Sequence, residues 1–212
     1  MIRERSFAAR LSLKTATHAL RASPENCQVF VDKLGLKPLF ALFMGARLST
    51  KSGEIAEDEE RICTIVHSLC RYCTGTPAAR VLNKFTENSF QKLERLIELH
   101  EQYWAKLEVH KQNASTSEVY DEVGLKDELR KEQEFLDRCN MGLFTLQQVD
   151  FTVIRLANMG NKQMSTAIAS TLQTKGVPSW QISEVVTEYC EYLGKDAEEE
   201  RKELTGFLKA FK

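Results

Sequence analysis

The sequence predicts an all-α protein, an armadillo- or HEAT-like helical-repeat superhelix with a C-terminal helical capping region. Three observations predict this fold class. Apolar residues recur at intervals of three and four, Pro residues stand where helices would begin, and Gly residues stand where helices would end. No segment shows the apolar–polar alternation of a β-strand. With only 10 Gly and 4 Pro in 212 residues, long uninterrupted helices are expected.

Start and stop signals divide the first half into short helical units. Ser23-Pro24 predicts an N-cap with Pro in the first helical turn, and Gly35 closes that helix. Thr76-Pro77 repeats the same device. The predicted helices are 25–34, 39–44, 61–73, 78–85 and 89–112, with an exposed loop from residue 47 that runs into an acidic helix start. This rhythm is typical of repeats of roughly 40–47 residues.

The basic N-terminal stretch has two interpretations. Its bases are Arg3, Arg5, Arg10, Lys14 and Arg21, and its only acid is Glu4. Such a composition occurs in mitochondrial transit peptides. It also suits the opening helix of a repeat, in which Phe7, Leu11 and Leu20 would face inward.

The second half is predicted to contain further helices after a small polar linker. The repeats are assigned to residues 1–112, the linker to 113–117 and the C-terminal helical region to 118–212. A charged helix 118–137 leads into an apolar pattern that continues to residue 158. Helices 162–174 and 179–193 follow, and Asp196 is expected to cap the last helix.

The longest predicted helix, 89–112, carries one apolar stripe. Its members are Phe90, Leu93, Ile97, Trp104 and Leu107, and His100 takes the remaining step. Tyr103 and Trp104 could line a binding groove, because aromatic side chains are enriched at interfaces. The stripe position of Trp104 favours a role in the core.

Cys63, His67, Cys70 and Cys73 are the one group with metal-ligand chemistry. All four fall on one predicted helix, and a straight helix cannot place four side chains tetrahedrally around one ion. They are interpreted as buried structural residues in a reducing compartment. The sequence lacks a phosphate-binding loop, a nucleophile elbow and a zinc-protease motif, so no enzyme, metal or cofactor is predicted.

Charge and hydropathy bound the possible partners. The formal net charge is −1, from 29 basic and 30 acidic residues, whereas phosphate-backbone binders usually carry a basic excess. No apolar run reaches the length of a membrane span. Direct binding to nucleic acid or membrane is therefore not expected.

Specific strings resemble a known family. The heptapeptide 82–88, LNKFTEN, is similar to a segment of the beta-catenin-like protein 1 family, whose members are armadillo-repeat nuclear proteins. Similar strings follow in the same order: ENC at 25–27, LGL at 34–36, LFM at 42–44, residues 93–100, GLFTLQ at 142–147 and EY at 188–189. The resemblance covers nearly the whole chain but only the C-terminal part of the family's length.

The resemblance implies a nuclear scaffold of the Prp19/cell-division-cycle-5-like spliceosomal complex. Expected partners are Prp19-complex subunits and splicing factors with basic nuclear-localisation-type segments; family members in vertebrates also bind activation-induced deaminase. A generic cytosolic or mitochondrial helical-repeat adaptor is the alternative. Since the family's N-terminal repeats are not in this sequence, much of the groove is expected to be missing, and self-association through an exposed repeat face is expected.

The family's grooves use Asn and aromatic side chains to hold extended peptides. By resemblance, the expected partner-binding residues lie on one concave surface and are Asn83, Lys84, Asn88, Gln91 and Arg95. A simpler interpretation remains open for two of them, in which Asn88 is an N-cap and Asn83 an ordinary surface residue.

Overall fold

The computed structural model describes residues 2–49, 51–116, 127–159 and 161–211, and within these ranges it contains helices and no strand. The predicted all-α class is confirmed. In chain order the helices are α1 (Ile2–Leu20), α2 (Pro24–Asp32), α3 (Leu36–Phe43), α4 (Ser52–Tyr72), α5 (Gly75–Thr116), α6 (Asp127–Asn140), α7 (Leu143–Asn158), α8 (Lys162–Lys175), α9 (Ser179–Tyr192) and α10 (Glu198–Ala210).

Several helix ends follow from local chemistry. The Ser23 hydroxyl accepts a hydrogen bond from the backbone N–H of Asn26, with Pro24 at the helix start, as predicted. The Asn161 side chain caps α8 by accepting from the amides of Gln163 and Met164. Gly176 ends α8 in the left-handed conformation, with φ of 70°, which glycine adopts without steric cost.

Other predicted ends were wrong. Helix α4 already begins at Ser52, so the acids at 57–60 lie inside the helix and not at its start. Asp196 does not cap the last helix, because it lies in a 3₁₀ turn, Lys195–Ala197, that precedes α10. Pro38 lies inside the first turn of α3, which begins two residues earlier than it.

Helix α5 is broken where the sequence predicted a boundary. Glu87 is extended, and Asn88, Ser89 and Phe90 have φ values of 52°, 54° and 66°. Three successive non-glycine residues in the left-handed region cost about 1–2 kcal/mol each. Glu87 links the two segments by accepting from Lys84 at 2.8 Å and from Lys92 at 3.1 Å. Asn88 is therefore not the conventional N-cap, which has extended backbone.

The apolar pattern that was expected to continue to residue 158 is interrupted. Gly142 has φ of 105° and separates α6 from α7, so Leu136 is 55% exposed and not part of the α7 core. The predicted linker 113–117 is helical as far as Thr116, and residue 117 lies outside the described ranges, as do residues 118–126 of the predicted charged helix.

Helix α7 is the centre of the packing. It is buried along nearly its whole length and contacts α4, α5, α8, α9 and α10. Its apolar residues belong to one continuous core that includes residues of both the repeat region and the C-terminal region. The division of the chain at residues 113–117 stays a prediction. The core itself contains residues from both sides of this division.

Ion pairs attach the first and last helices. Arg10 of α1 donates to both Asp58 oxygens at 3.0 and 2.9 Å. Arg155 of α7, 5% exposed, makes two bonds of 2.8 and 2.7 Å to Glu203 of α10. The expectation that Phe7 and Leu11 face inward was wrong, because these side chains are 64% and 49% exposed; Leu20 is buried as expected.

Candidate protein-binding grooves

The first groove lies between α3, the loop after it, α4 and the second segment of α5. We call it the Arg95 groove, and it encloses about 580 Å³. Gln91 and Arg95, two of the five predicted binding residues, line it. Its charged lining residues are Arg47, Asp58, Glu59, Glu94, Arg95 and Glu98. Four carboxylates against two guanidinium groups make the lining acidic.

Most of these carboxylates already have partners within the chain. Asp58 is held by Arg10 and, at 3.2 Å, by Arg61. Glu98 accepts from Lys175 at 3.1 Å. Glu94 is exposed and makes no hydrogen bond or ion pair with the described part of the chain. The charge of this groove is therefore largely neutralised, except at Glu94.

Glu59 connects the groove to the core. Its oxygens accept from Arg95 at 2.9 Å, from the Tyr103 hydroxyl at 2.8 Å and from Gln102 at 3.3 Å. Tyr103 is buried, and burial followed by the charge of Glu59 raises the pKa of its hydroxyl above the ordinary value. Tyr103 therefore acts as a fixed donor that orients Glu59, and the idea that it lines a groove was wrong.

The remaining predicted residues lie elsewhere. Asn83 and Lys84 line a shallow depression of about 360 Å³ together with Leu34, Lys37 and Arg80. Asn88 is exposed at the break in α5. Four of the five residues are thus divided between two depressions on either side of the break, with Asn88 at the break itself, and the five do not form one continuous surface in this structure.

A second groove contains Trp104, one of the two aromatic residues named above as groove candidates, but its walls from α6 and α9 were not predicted from the sequence. We call it the tryptophan groove; it lies between α5, α6 and α9, encloses about 680 Å³ and contains both tryptophans, Trp104 and Trp180. Their rings meet edge to face with centroids 5.8 Å apart. The groove carboxylates are Glu108, Glu134, Glu184, Glu188 and Glu191. The sequence of α9 could have indicated this groove, because Trp180 and three of these glutamates recur at helical spacing and so share one face of the helix.

A buried polar pair lies beneath the tryptophan groove. His100 Nδ1 is 2.7 Å from an oxygen of Asp150, both side chains are fully buried, and the His100 ring stacks on Trp104. Burial lowers the pKa of His100, but the Asp150 charge and hydrogen bond outweigh it and hold the pKa above its ordinary value. Burial raises the pKa of Asp150 to about 6, although His100 opposes this.

The group Cys63, His67, Cys70 and Cys73 is buried, as its structural interpretation requires. His67 packs on Phe151 with ring centroids 5.5 Å apart. Burial, and then the charges of Arg155 and Arg71, lower the pKa of His67 to about 3. Among the described residues, no group of three or more His, Cys, Asp or Glu has the geometry of a metal site.

Comparison with known proteins identifies the family. A family profile described as "Catenin-beta-like, Arm-motif containing nuclear" matches residues 1–187. The chain belongs to the catenin-beta-like, Arm-motif-containing nuclear family. It is 34% identical over 224 residues to Beta-catenin-like protein 1 of Homo sapiens, 32% over 223 residues to that of Rattus norvegicus, and 33% over 224 residues to that of Bos taurus.

Membership of the catenin-beta-like family confirms several predictions. The armadillo-type helical fold and the nuclear assignment agree with the family description, and the resemblance stated from the sequence is confirmed. Each comparison covers all of this chain but 39% of the relative's length. In the described residues, no helix combines the length and apolar character that a membrane span requires.

Proposed function

We propose that this member of the catenin-beta-like family is a non-enzymatic nuclear scaffold of the Prp19/cell-division-cycle-5-like spliceosomal complex, acting in pre-mRNA splicing. Its partners would be Prp19-complex subunits and splicing factors with basic nuclear-localisation-type segments, with no cofactor and no direct contact with nucleic acid or membrane. Family membership along nearly the whole chain is the observation that carries this proposal.

The Arg95 groove supports a basic partner. Three of its four carboxylates are paired within the chain, so Glu94 supplies its available negative charge, and opposite charge attracts a basic segment. Glu94 is the accessible anion at this position, and Gln91, exposed one turn earlier, offers an amide for a peptide backbone. Arg95 would act by orienting Glu59, to which it is paired at 2.9 Å.

Co-purification tests the cellular role. A tagged copy of the chain is expected to bring down Prp19-complex subunits from nuclear extract. Absence of every such subunit from a preparation that remains folded would contradict the splicing role. Fluorescent tagging is the companion measurement, since a mitochondrial signal would favour the adaptor alternative.

Peptide binding tests the site. We expect Glu94→Gln and Arg95→Ala to weaken binding of basic splicing-factor peptides several-fold, and Asn83→Ala to have a smaller effect because Asn83 lies in the other depression. Glu25→Gln on α2 is the matched control, since it removes one exposed charge outside both depressions. Unchanged binding by Glu94→Gln and Arg95→Ala would remove the Arg95 groove from the proposal.

We also propose that the chain self-associates through α1. Phe7 and Leu11 are 64% and 49% exposed on that helix, and one turn separates them. Sedimentation is expected to show dimers or larger species, and Leu11→Lys should reduce their fraction. Monomeric behaviour of the unsubstituted chain at high concentration would contradict self-association.

A further inference from the structure

The tryptophan groove combines an exposed aromatic surface with an apolar floor. Trp180 is 56% exposed, although a tryptophan that served only packing would be largely covered. Beside it, the groove is lined by Leu107, Leu146 and Val185. Part of the Trp180 indole is therefore available to a partner, next to apolar atoms that an alkyl chain could contact.

The glutamates of this groove differ in their pairing. Glu188 is bound by Arg138 through two hydrogen bonds, one of them 2.7 Å long. Glu108, Glu184 and Glu191 make no hydrogen bond or ion pair with any described residue. Trp180, Glu184, Glu188 and Glu191 are spaced by four, four and three residues, so they share one face of α9. The basic lining residues are His110, Lys111 and Arg138, and Arg138 is paired with Glu188. Five carboxylates against one lysine and one arginine leave an excess of negative charge beside the exposed indole.

We infer that the tryptophan groove binds an arginine or lysine side chain of a protein partner. The cation would lie on the indole of Trp180, where the electron-rich face attracts it, within reach of the Glu184 carboxylate one turn further along α9. Glu191 lies about 16 Å from Trp180 along the helix, so it would pair with a second basic side chain of the same partner segment. Its alkyl stem would pack along the exposed part of the Trp180 indole, as long basic side chains do on apolar surfaces, because Leu107 and Val185 are already largely covered. This site is separate from the Arg95 groove. On α5, Arg95 precedes Trp104 of the tryptophan groove by nine residues, which is about 13 Å at 1.5 Å per residue.

Charge decides between classes of partner. Nucleic acids and anionic membranes present phosphates, which three unpaired glutamates would repel. A purely apolar partner would leave these carboxylates without a counter-charge at a closed interface, and burying unpaired charges is costly. A basic protein segment satisfies both the indole and the carboxylates.

The test uses the two tryptophans as local reporters. Both lie in this groove and the chain has no other tryptophan, so fluorescence excited at the red edge of the absorption band, where the five tyrosines do not absorb, reports on the groove. A peptide with four arginines separated by Gly and Ser is titrated into the whole chain, and a peptide with Gln in place of every Arg is the control. We expect a saturable fluorescence change with the Arg peptide, weakened by added salt, and no change with the Gln peptide.

Variants assign the effect to residues. The double variant Glu184→Gln, Glu191→Gln should weaken binding of the Arg peptide about tenfold. The Trp180→Leu variant should weaken binding about fivefold, and because it lacks one of the two reporters, its binding is measured by the fluorescence anisotropy of a labelled peptide. Glu25→Gln on α2 is the matched control, because it removes one exposed carboxylate outside both grooves, and it should leave the fluorescence titration unchanged. Circular dichroism checks folding, which substitution of these exposed glutamates should preserve.

Two results would overturn the inference: no fluorescence change with the Arg peptide, or an unaltered titration in the Glu184→Gln, Glu191→Gln variant. Neither result bears on the proposed function, which is tested through Glu94, Arg95 and co-purification. Loss of anisotropy binding in Glu94→Gln with an intact fluorescence titration would in turn support both sites independently.

Discussion

The two grooves of this protein contain similar numbers of carboxylates, yet their charges have different uses. In the Arg95 groove, Asp58, Glu59 and Glu98 are paired with bases of other helices, so these carboxylates join α1, α4, α5 and α8. In the tryptophan groove, Glu108, Glu184 and Glu191 make no such pair in the described structure. The difference shows that the number of acids in a groove does not measure the charge available to a partner, because pairing within the chain removes part of it.

The largest expected effect concerns Gly142, which supports the Arg95 groove from below. A Cβ at this position would lie 2.5 Å from the Tyr103 ring, and φ is 105°, a conformation strained for any other residue. Gly142→Ala should displace Tyr103 from Glu59 and lower the free energy of unfolding by about 3 kcal/mol or more. Urea denaturation measures this change.

Gly176→Ala is the matched control for that substitution. Gly176 also has positive φ, 70°, but a Cβ there meets no atom within 4 Å. Only the backbone cost of about 1 kcal/mol is expected. Equal losses in the two variants would show that Tyr103 does not brace the groove.

Asp58 tests whether pairing in the Arg95 groove is structural. Its side chain is 7% exposed and bonded to Arg10 and Arg61, so Asp58→Ala removes one carboxylate partner from each base. Glu57 still pairs with both bases, and Glu54 still pairs with Arg10. Because those pairs remain, we expect a loss of about 1–2 kcal/mol in the free energy of unfolding. Glu184→Ala in the tryptophan groove should change it by less than about 0.5 kcal/mol. Similar losses in both variants would remove the distinction between the grooves.

The fold and the sites were not equally predictable. Caps such as Ser23-Pro24 depend on neighbours in sequence, so they could be recognised without a structure. The break in α5 was placed correctly at Asn88, but three left-handed residues follow from how the two segments pack, which local propensity does not encode. Both interpretations of Trp104 hold in part, because its side chain is half-buried against the core and also lines a groove.

Long-range pairing explains what the sequence could not predict about the sites. The Arg10–Asp58 pair spans 48 residues, and Trp104 and Trp180 come from helices that only the tertiary fold brings together. Surface residues such as Asn83 and Arg95 were grouped by resemblance. Their separation depends on the local geometry of the break in α5, which no motif reveals.

The buried pair beneath the tryptophan groove predicts a pH effect. The folded-state pKa values of His100 and Asp150 are both raised, so the folded protein holds their protons more tightly than the unfolded chain does. The stability that this pair contributes is full below about pH 4 and declines as pH rises, through about 6 for Asp150 and then through the raised pKa of His100.

Asp150→Asn should reverse this trend. Without the Asp150 charge, burial lowers the pKa of His100, and a buried neutral histidine loses stability as pH falls. Relative to the unsubstituted chain, the variant should gain about 1–2 kcal/mol between about pH 5 and about pH 8. His67 is common to both proteins and cancels in the difference. Parallel stability curves from urea denaturation at several pH values would contradict the assignment.

The smallest expected effect concerns the cost of leaving glutamates unpaired in the tryptophan groove. Glu184 and Glu188 are four residues apart on α9, Glu191 is three further on, and like charges at these spacings destabilise a helix by about 0.2–0.5 kcal/mol per pair. Glu191 also lies in the last turn of α9, where the helix dipole disfavours negative charge, and no basic residue of that turn compensates.

Replacing Glu184 and Glu191 by Gln should therefore raise the free energy of unfolding by about 0.5 kcal/mol at low salt. This gain should vanish at high salt, because salt screens the repulsion between the glutamates. The same type of substitution in the Arg95 groove, Glu59→Gln, should lower the free energy of unfolding, because Glu59 has three hydrogen-bond partners.

A destabilised Glu184→Gln, Glu191→Gln variant would mean that these carboxylates have structural partners. A stabilised variant that binds arginine peptides less tightly would show that the groove keeps its charge for binding, at the expense of stability.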